Sequence, residues 1–223
     1  MPRLFGTDGV RGIANLELTP SIALDLGRAA ATAFRSQHTR PAVLIVRDTR
    51  RSGDLLESAL AAGLMSAGSD VLVCGVLPTP AAAFLATDLH TDAGAVVSAS
   101  HNPADHNGIK FFGPDGFKLT DDQESRIEAL VEVAAPAVVG AAVGKISVLD
   151  DAEDRYVGHA LRSLEGRRLD GLKIVVDCAN GAAYRTSPRA LAEAGAEVIA
   201  INTAPDGMNI NVGCGSTDLR QVS

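Results

Sequence analysis

Apolar positions along this chain fall into short continuous runs separated by longer stretches of helical spacing. "AVLIV" (42–46) has the length of a strand and no polar alternation, so it predicts a strand buried on both faces. "VLVCGV" (71–76) and "GAVVS" (94–98) repeat the pattern, and "GIKFF" (108–112) predicts a further strand. Between them the period changes. In "TPSIALDLGRAAATAF" (19–34), Ile22, Leu26, Ala29, Ala30 and Ala33 share one helical face, with Thr19 suited to the cap and Pro20 to the first turn. Helices are also predicted over 52–68, stopped by Gly68, over 79–88, and over 120–134, where Thr120 and Gln123 fit a capping box. "GPDG" (113–116) predicts a turn.

The alternation weakens after residue 134. "APAVVGAAVGKISV" (135–148) is small and apolar without helical period, which reads as a domain connection or, alternatively, as an extra edge strand. A short helix (152–164) precedes "LKIVVDCANGAAYRTSPRALAEAGAEVIAIN" (172–202), which reads as strand, loop, helix, strand, with Ser187 and Pro188 opening the helix and Gly195 ending it. That is a βαβ unit opening a second α/β domain. Residues 203–223 carry no period, and one βαβ unit is small for a whole domain. The expectation is a first domain over 1–135, a connection over 136–151 and a partial second domain over 152–223, with the chain stopping inside it.

Composition narrows the function classes. With a net charge of −7 and no basic cluster denser than Arg47, Arg50 and Arg51, a nucleic-acid surface is not expected. A small anionic substrate stays open, since a few local arginines can outweigh a mildly acidic whole. Cys74, Cys178 and Cys214 are odd in number and form no CxxC, as expected for idle thiols in a reducing compartment. No N-terminal apolar h-region and no membrane-length apolar run occur, so the expectation is a soluble cytoplasmic protein.

Candidate chemistry concentrates in "AGAVVSASHNPADHNGIKFF" (93–112). Ligands in α/β folds bind beyond the carboxyl ends of the strands, and the polar loop begins where the strand 94–98 ends. Asn102-Pro103 and Asn107-Gly108 are turn signals, so the loop is held tight with Ser100 projecting from its crest. A serine hydroxyl needs activation, and His101, its sequence neighbour, is poorly placed to give it. Lys110 on the returning strand can face the loop as a base or an anion ligand. A lone serine in a polar loop is more often structural, and these residues alone suggest no more than an anion or sugar site. "FGTDGVRG" (5–12) is a second feature, a glycine-rich turn with Arg11 as a fork donor suited to phosphate. "RDTRRSGD" (47–54) is a third, read as a solvated connection with a Ser52 helix cap or, alternatively, as a turn in which Arg47 or Arg50 shapes the site.

Three of these pieces, "FGTDGVRG", "SASHNP" (98–103) and "NGIKFF" (107–112), together resemble the α-D-phosphohexomutases. "GFKLT" (116–120), "IVVDCANGAAY" (174–184) and "NINVGCGST" (209–217) are similar to its bacterial amino-sugar branch. The resemblance implies an α/β fold: a mixed sheet sandwiched between helices, followed by a partial second α/β domain. It implies that Ser100 carries a phosphoryl group, also placing it at a Mg²⁺ ion through that phosphate. Lys110 would serve proton transfer or charge stabilisation, Arg11 would face the transferring phosphoryl group together with Lys110, and His101 would order the loop or donate a hydrogen bond. The implied reaction interconverts glucosamine 6-phosphate and glucosamine 1-phosphate through a sugar bisphosphate, toward UDP-N-acetylglucosamine. A hexose 1,6-bisphosphate such as that of glucosamine would be the activator, and the protein would be a homodimer without nucleic-acid or membrane partners. The family's aspartate-rich metal loop and its third and fourth domains have no match before Ser223. The chain is therefore expected to be an N-terminal fragment, inactive alone. A glucose or mannose phosphate as substrate, or a non-catalytic short form, is the alternative. A serine hydrolase is disfavoured because no GxSxG elbow occurs.

Overall fold

A computed structural model describes residues 4–35 and 40–222; the expected outer domain limits, residues 1 and 223, lie outside the described residues. The elements run β1 (Val10–Ile13), α1 (Pro20–Phe34), β2 (Ala42–Arg47), α2 (Ser52–Ser66), β3 (Asp70–Val76), α3 (Thr79–Asp88), β4 (Ala93–Val97), β5 (His106–Phe112) and α4 (Asp121–Glu132). They continue with β6 (Ile146–Val148), α5 (Ala152–Arg162), β7 (Lys173–Asp177), α6 (Thr186–Glu193) and β8 (Glu197–Ile201). The α/β architecture implied by the motifs is the one observed.

The larger sheet has the order β1-β5-β4-β2-β3-β6. β2, β3, β4 and β6 pair in parallel, whereas β5 is antiparallel to both β4 and β1. The mixed sheet implied by the resemblance is thus observed, and its antiparallel pairing around the polar loop has a local reason. Eight residues separate β4 from β5, too few for a crossover helix, so the chain returns as a hairpin. The "AVLIV" run explains the layers. Val43 and Ile45 face the cluster formed with α1, α2 and α4, while Leu44 and Val46 face the cluster formed with α3. Every residue of β4 is buried, as a central strand covered on both sides requires.

Ile146–Val148, in the stretch that reads as a connection or an edge strand, pair with β3 as the sheet's edge. β7 and β8 form a separate two-stranded parallel sheet. Its helix α5 packs back on the first unit: Ala152 joins the α3-side core, and the His159 ring stacks on Phe84 with centroids 4.0 Å apart. The capping box at Thr120 and Gln123 is formed. Ser187 does not cap α6, which starts at Thr186 without a side-chain cap. No helix among the described residues is long and apolar enough to cross a membrane.

α1 and α2 cross with their backbones in contact. A Cβ on Gly63 would lie 2.0 Å from the Leu24 carbonyl oxygen, and one on Gly27 would lie 2.4 Å from that of Leu60. Only hydrogen fits at this crossing. Gly63→Ala is therefore expected to destabilise the protein by about 1–3 kcal/mol in urea denaturation. Gly158→Ala is the contrast. Gly158 lies within α5, and its Cβ would meet only the tip of Arg162 at 3.5 Å. Relief of the glycine's helix penalty is expected to raise stability there by about 0.5–1 kcal/mol.

Asp177 ends β7 and ties the second unit's turns together. Partial burial raises its carboxyl, but hydrogen bonds from the Gly215 and Ala179 amides and the Asn202 side chain outweigh that and hold it below its ordinary value of 3.8. A depressed carboxyl binds its proton more weakly when folded than when unfolded. Its stabilisation is thus complete above the ordinary value and is lost as pH falls through the lower folded value. Urea midpoints measured from pH 6 downward are expected to show an acid-side decline that Asp177→Asn reduces.

Candidate active site

The strand order places the site. β2 and β4 are parallel neighbours, so the turns that follow them, 48–51 and 98–105, emerge side by side at the carboxyl edge of the sheet. Their roots are joined by a hydrogen bond from the Asp48 amide to the Val97 carbonyl at 3.1 Å.

Arg50 spans the gap between these turns. Its side chain has no exposure to solvent, and its Nε donates to Asp48 Oδ2 at 2.9 Å. One terminal nitrogen donates to the carbonyls of Ser100 and Asn102, both at 2.9 Å, and the other to the carbonyl of Pro103. Asp48 completes the set: its carboxylate also accepts from the Arg50 amide at 3.0 Å and from Ser98 Oγ at 2.7 Å. Ser98 Oγ in turn accepts from the Ser100 amide at 3.1 Å. Both the amide and the carbonyl of Ser100 are thereby held.

Ser100 itself sits at φ 56°, in the left-handed region that non-glycine residues seldom occupy. Such a conformation costs about 1–2 kcal/mol and persists where surrounding contacts overdetermine it. The Arg50–Asp48 pair supplies those contacts, while the Ser100 side chain is left exposed at the crest. The crest expected from the turn signals is present, with a fixed backbone beneath it.

Arg11 and Lys110 lie on neighbouring strands. Arg11 pairs with Gly108 in the β1–β5 ladder, and the Gly108 carbonyl accepts from the Ser98 amide at 2.9 Å, so Arg11 is level with the root of the loop. Lys110 is two residues further along β5 on the same face, opposite Val96 of β4. Asp8 joins the two cations. It forms an ion pair with Arg11 and lies 3.3 Å from Lys110 Nζ. Gly9, at φ 85°, lets this turn approach β5, since a Cβ there would lie 2.4 Å from the Ile109 carbonyl oxygen. Arg11 Nε is buried with no hydrogen-bond partner among the described residues.

The remaining candidates are placed differently from expectation. The His101 ring is exposed and makes no hydrogen bond among the described residues. It lines a cavity of about 500 Å³ shared with Asp105, Met208 and Asn211, while Arg50 holds the loop's main-chain oxygens. Ser52 is the first residue of α2 and does not cap it. Its hydroxyl instead accepts from the buried Asn107 side chain at 2.9 Å, fixing the start of β5. Arg47 turns to α2, with Glu57 at 2.7 Å and Asp54 at 2.6 Å. The three cysteines are free and buried, and burial pushes the Cys74 thiol up to about 12. No group of three or more histidine, cysteine or carboxylate side chains able to hold a metal occurs among the described residues.

Arg50 carries more of the site than its sequence context shows. The "RDTRRSGD" cluster was its only signal, and a run of arginines after a strand ordinarily marks a solvated turn. An unforeseen contributor is Asn211, whose side chain donates to the Ser100 carbonyl at 3.0 Å from the far unit.

Comparison with known proteins shows the family. Residues 2–136 match the alpha/beta/alpha domain I of phosphoglucomutase/phosphomannomutase. The phosphoglucosamine mutase of Pelotomaculum thermopropionicum is 55% identical over 217 residues, covering 96% of this chain and 48% of that protein. That of Mycolicibacterium paratuberculosis is 56% identical over 221 residues, covering 98% of this chain and 50% of that protein. The chain thus spans about half the length of the curated relatives it matches. A crystal structure of a phosphoglucomutase/phosphomannomutase family protein from Burkholderia thailandensis superposes with a TM-score of 0.78 at 32% identity, covering 92% of this chain and 45% of that one.

Arg50→Met would leave the Asp48 carboxylate buried without its ionic partner and would take one donor from each of three loop carbonyls. It is expected to cost about 3–5 kcal/mol in chemical denaturation. Arg50→Lys keeps the charge but cannot reproduce a planar fork spread over three acceptors, so it is expected to recover only part of that loss.

Proposed function

The chain belongs to the phosphoglucomutase/phosphomannomutase family, and from that premise we propose that it carries the phosphoserine site of an enzyme interconverting glucosamine 6-phosphate and glucosamine 1-phosphate. The observation that carries the reading is Ser100, an exposed hydroxyl on a left-handed crest whose amide and carbonyl are both held from below. The amino sugar, rather than glucose or mannose, is favoured by the names of relatives at 55% and 56% identity.

Phosphoryl transfer depends on positioning and charge neutralisation. In the forward direction the free hydroxyl oxygen of the sugar phosphate bonds to the phosphorus carried by Ser100. The bond from phosphorus to Ser100 Oγ breaks, and the hydroxyl proton ends on Oγ. The resulting bisphosphate reorients and returns its other phosphoryl group to Ser100 by the same exchange, so that no phosphate is gained or lost. Lys110 serves proton transfer or charge stabilisation in this scheme, and Arg11 meets the phosphoryl oxygens. The shared Asp8, which holds both cations beside the loop, supports that role. Arg50 donates to backbone carbonyls and Asp48, so it shapes the loop rather than binding phosphate.

Mg²⁺ and a hexose bisphosphate activator belong to this reading through the family. The described residues gather no cluster of metal-ligating side chains, so they do not by themselves fit a resident Mg²⁺ ion. The steps above use only the chain's own groups. A cytoplasmic location, a homodimer and a division into domains over 1–135 and 152–223 complete the proposal.

Exposure of the complete gene product to glucose 1,6-bisphosphate, followed by intact mass and peptide mapping over 93–112, tests the reading. One phosphoryl group on Ser100 is expected, with turnover of glucosamine 6-phosphate exceeding that of glucose 6-phosphate. Ser100→Ala is expected to take up none and to fall below about one thousandth of wild-type turnover. Lys110→Met is expected to lower kcat by about 100-fold. A protein that turns over while Ser100 stays unmodified would refute the phosphoserine mechanism.

A further inference from the structure

The carbonyls of Ser100 and Asn102 are each held twice. Arg50 reaches them from the turn after β2, and Asn211 reaches the same two oxygens from the second unit, at 3.0 Å and 3.3 Å. A carbonyl oxygen has two lone pairs, so the two donors complement each other. Arg50 belongs to the unit that carries the loop. Asn211 does not: it is positioned by its own amide, which donates to the Ala179 carbonyl at 2.9 Å in the turn after β7.

Two further bonds seat the same turn against the second unit. Thr49 Oγ1 donates to the Asn180 carbonyl, and the Arg51 amide donates to the Gly207 carbonyl at 2.9 Å. Thr49 and Arg51 flank Arg50 in sequence. The residues that shape the crest and those that dock the second unit are therefore one short segment, and Asn211 closes the circuit by touching the crest directly.

We propose that Asn211 is a positioning residue for Ser100, through which the seating of the second α/β unit sets the geometry of the reactive loop. Its effect on catalysis rests on the phosphoserine reading of Ser100; its effect on the loop backbone does not. Asn211 touches no side chain of the candidate site in these bonds, only main-chain oxygens. Removing its amide should therefore impair the transfer step rather than the binding of the sugar phosphate.

Asn211 sits at φ 62°, which permits a discriminating pair of substitutions. Asn211→Gly keeps the left-handed backbone at no steric cost and deletes the donor. Asn211→Asp keeps the shape and replaces the donor with an acceptor facing two carbonyls. In the complete gene product both are expected to fold, and both to lower kcat about tenfold or more, as loss of two modest hydrogen bonds implies. KM for glucosamine 6-phosphate is expected to stay within about twofold under the same argument. Hydrogen exchange over 99–106 is expected to accelerate in both. Unchanged exchange in the folded variants overturns the proposal, and so does kcat within twofold of an active wild type. A wild type that takes up no phosphoryl group at Ser100 refutes the phosphoserine reading instead, and exchange alone then decides whether Asn211 holds the loop.

Discussion

A guanidinium group buried beneath three carbonyl oxygens is the constraint on which the site depends. Arg50 is an expensive residue to place there, since a charge removed from water must recover its hydration from fixed partners. It does so through Asp48 and through the backbone of the loop after β4. The arrangement acts in both directions. The loop satisfies the arginine, and the arginine gives the loop one shape. A crest of small polar residues has no apolar core of its own to define it, and this pair replaces that core.

The strand order makes the arrangement possible. Only because β4 lies directly beside β2 does the turn at 48–51 stand next to the turn at 98–105. The reversal at β5 then brings Lys110 back along the same face and sets Arg11 beside it. Asp8 between the two cations keeps them in place and tempers their mutual repulsion. A sheet with only parallel strands would have sent the chain away through a helix, and the cationic strand would have been lost from the loop's side.

The sequence made the layers legible because their signals are local. A five-residue apolar run between helical stretches identifies β2, and the Thr120–Gln123 capping box identifies α4. Ser100 was legible because Asn-Pro and Asn-Gly punctuate its loop and because the surrounding words resemble one family. Arg50 was legible only as one of two arginines that could shape the site, and Asn211 not at all, because their partners lie far along the chain. Nothing within a few residues of Arg50 announces that its environment is dry. Ser52 shows the same limit: a serine opening a helix reads as a cap, yet its hydroxyl accepts from Asn107 on another strand.

The separation of these partners also sets an order of assembly. Arg50 and Ser100 are 50 residues apart, and Asn211 is 111 residues beyond Ser100. Contacts of such span form late, after shorter loops have closed, and the later one also awaits more of the chain. During synthesis the first unit can condense around β2, β4 and its helices before residue 211 has left the ribosome. The crest then gains its final restraint when the second unit settles, so Ser100 is among the last parts of the molecule to take its final shape.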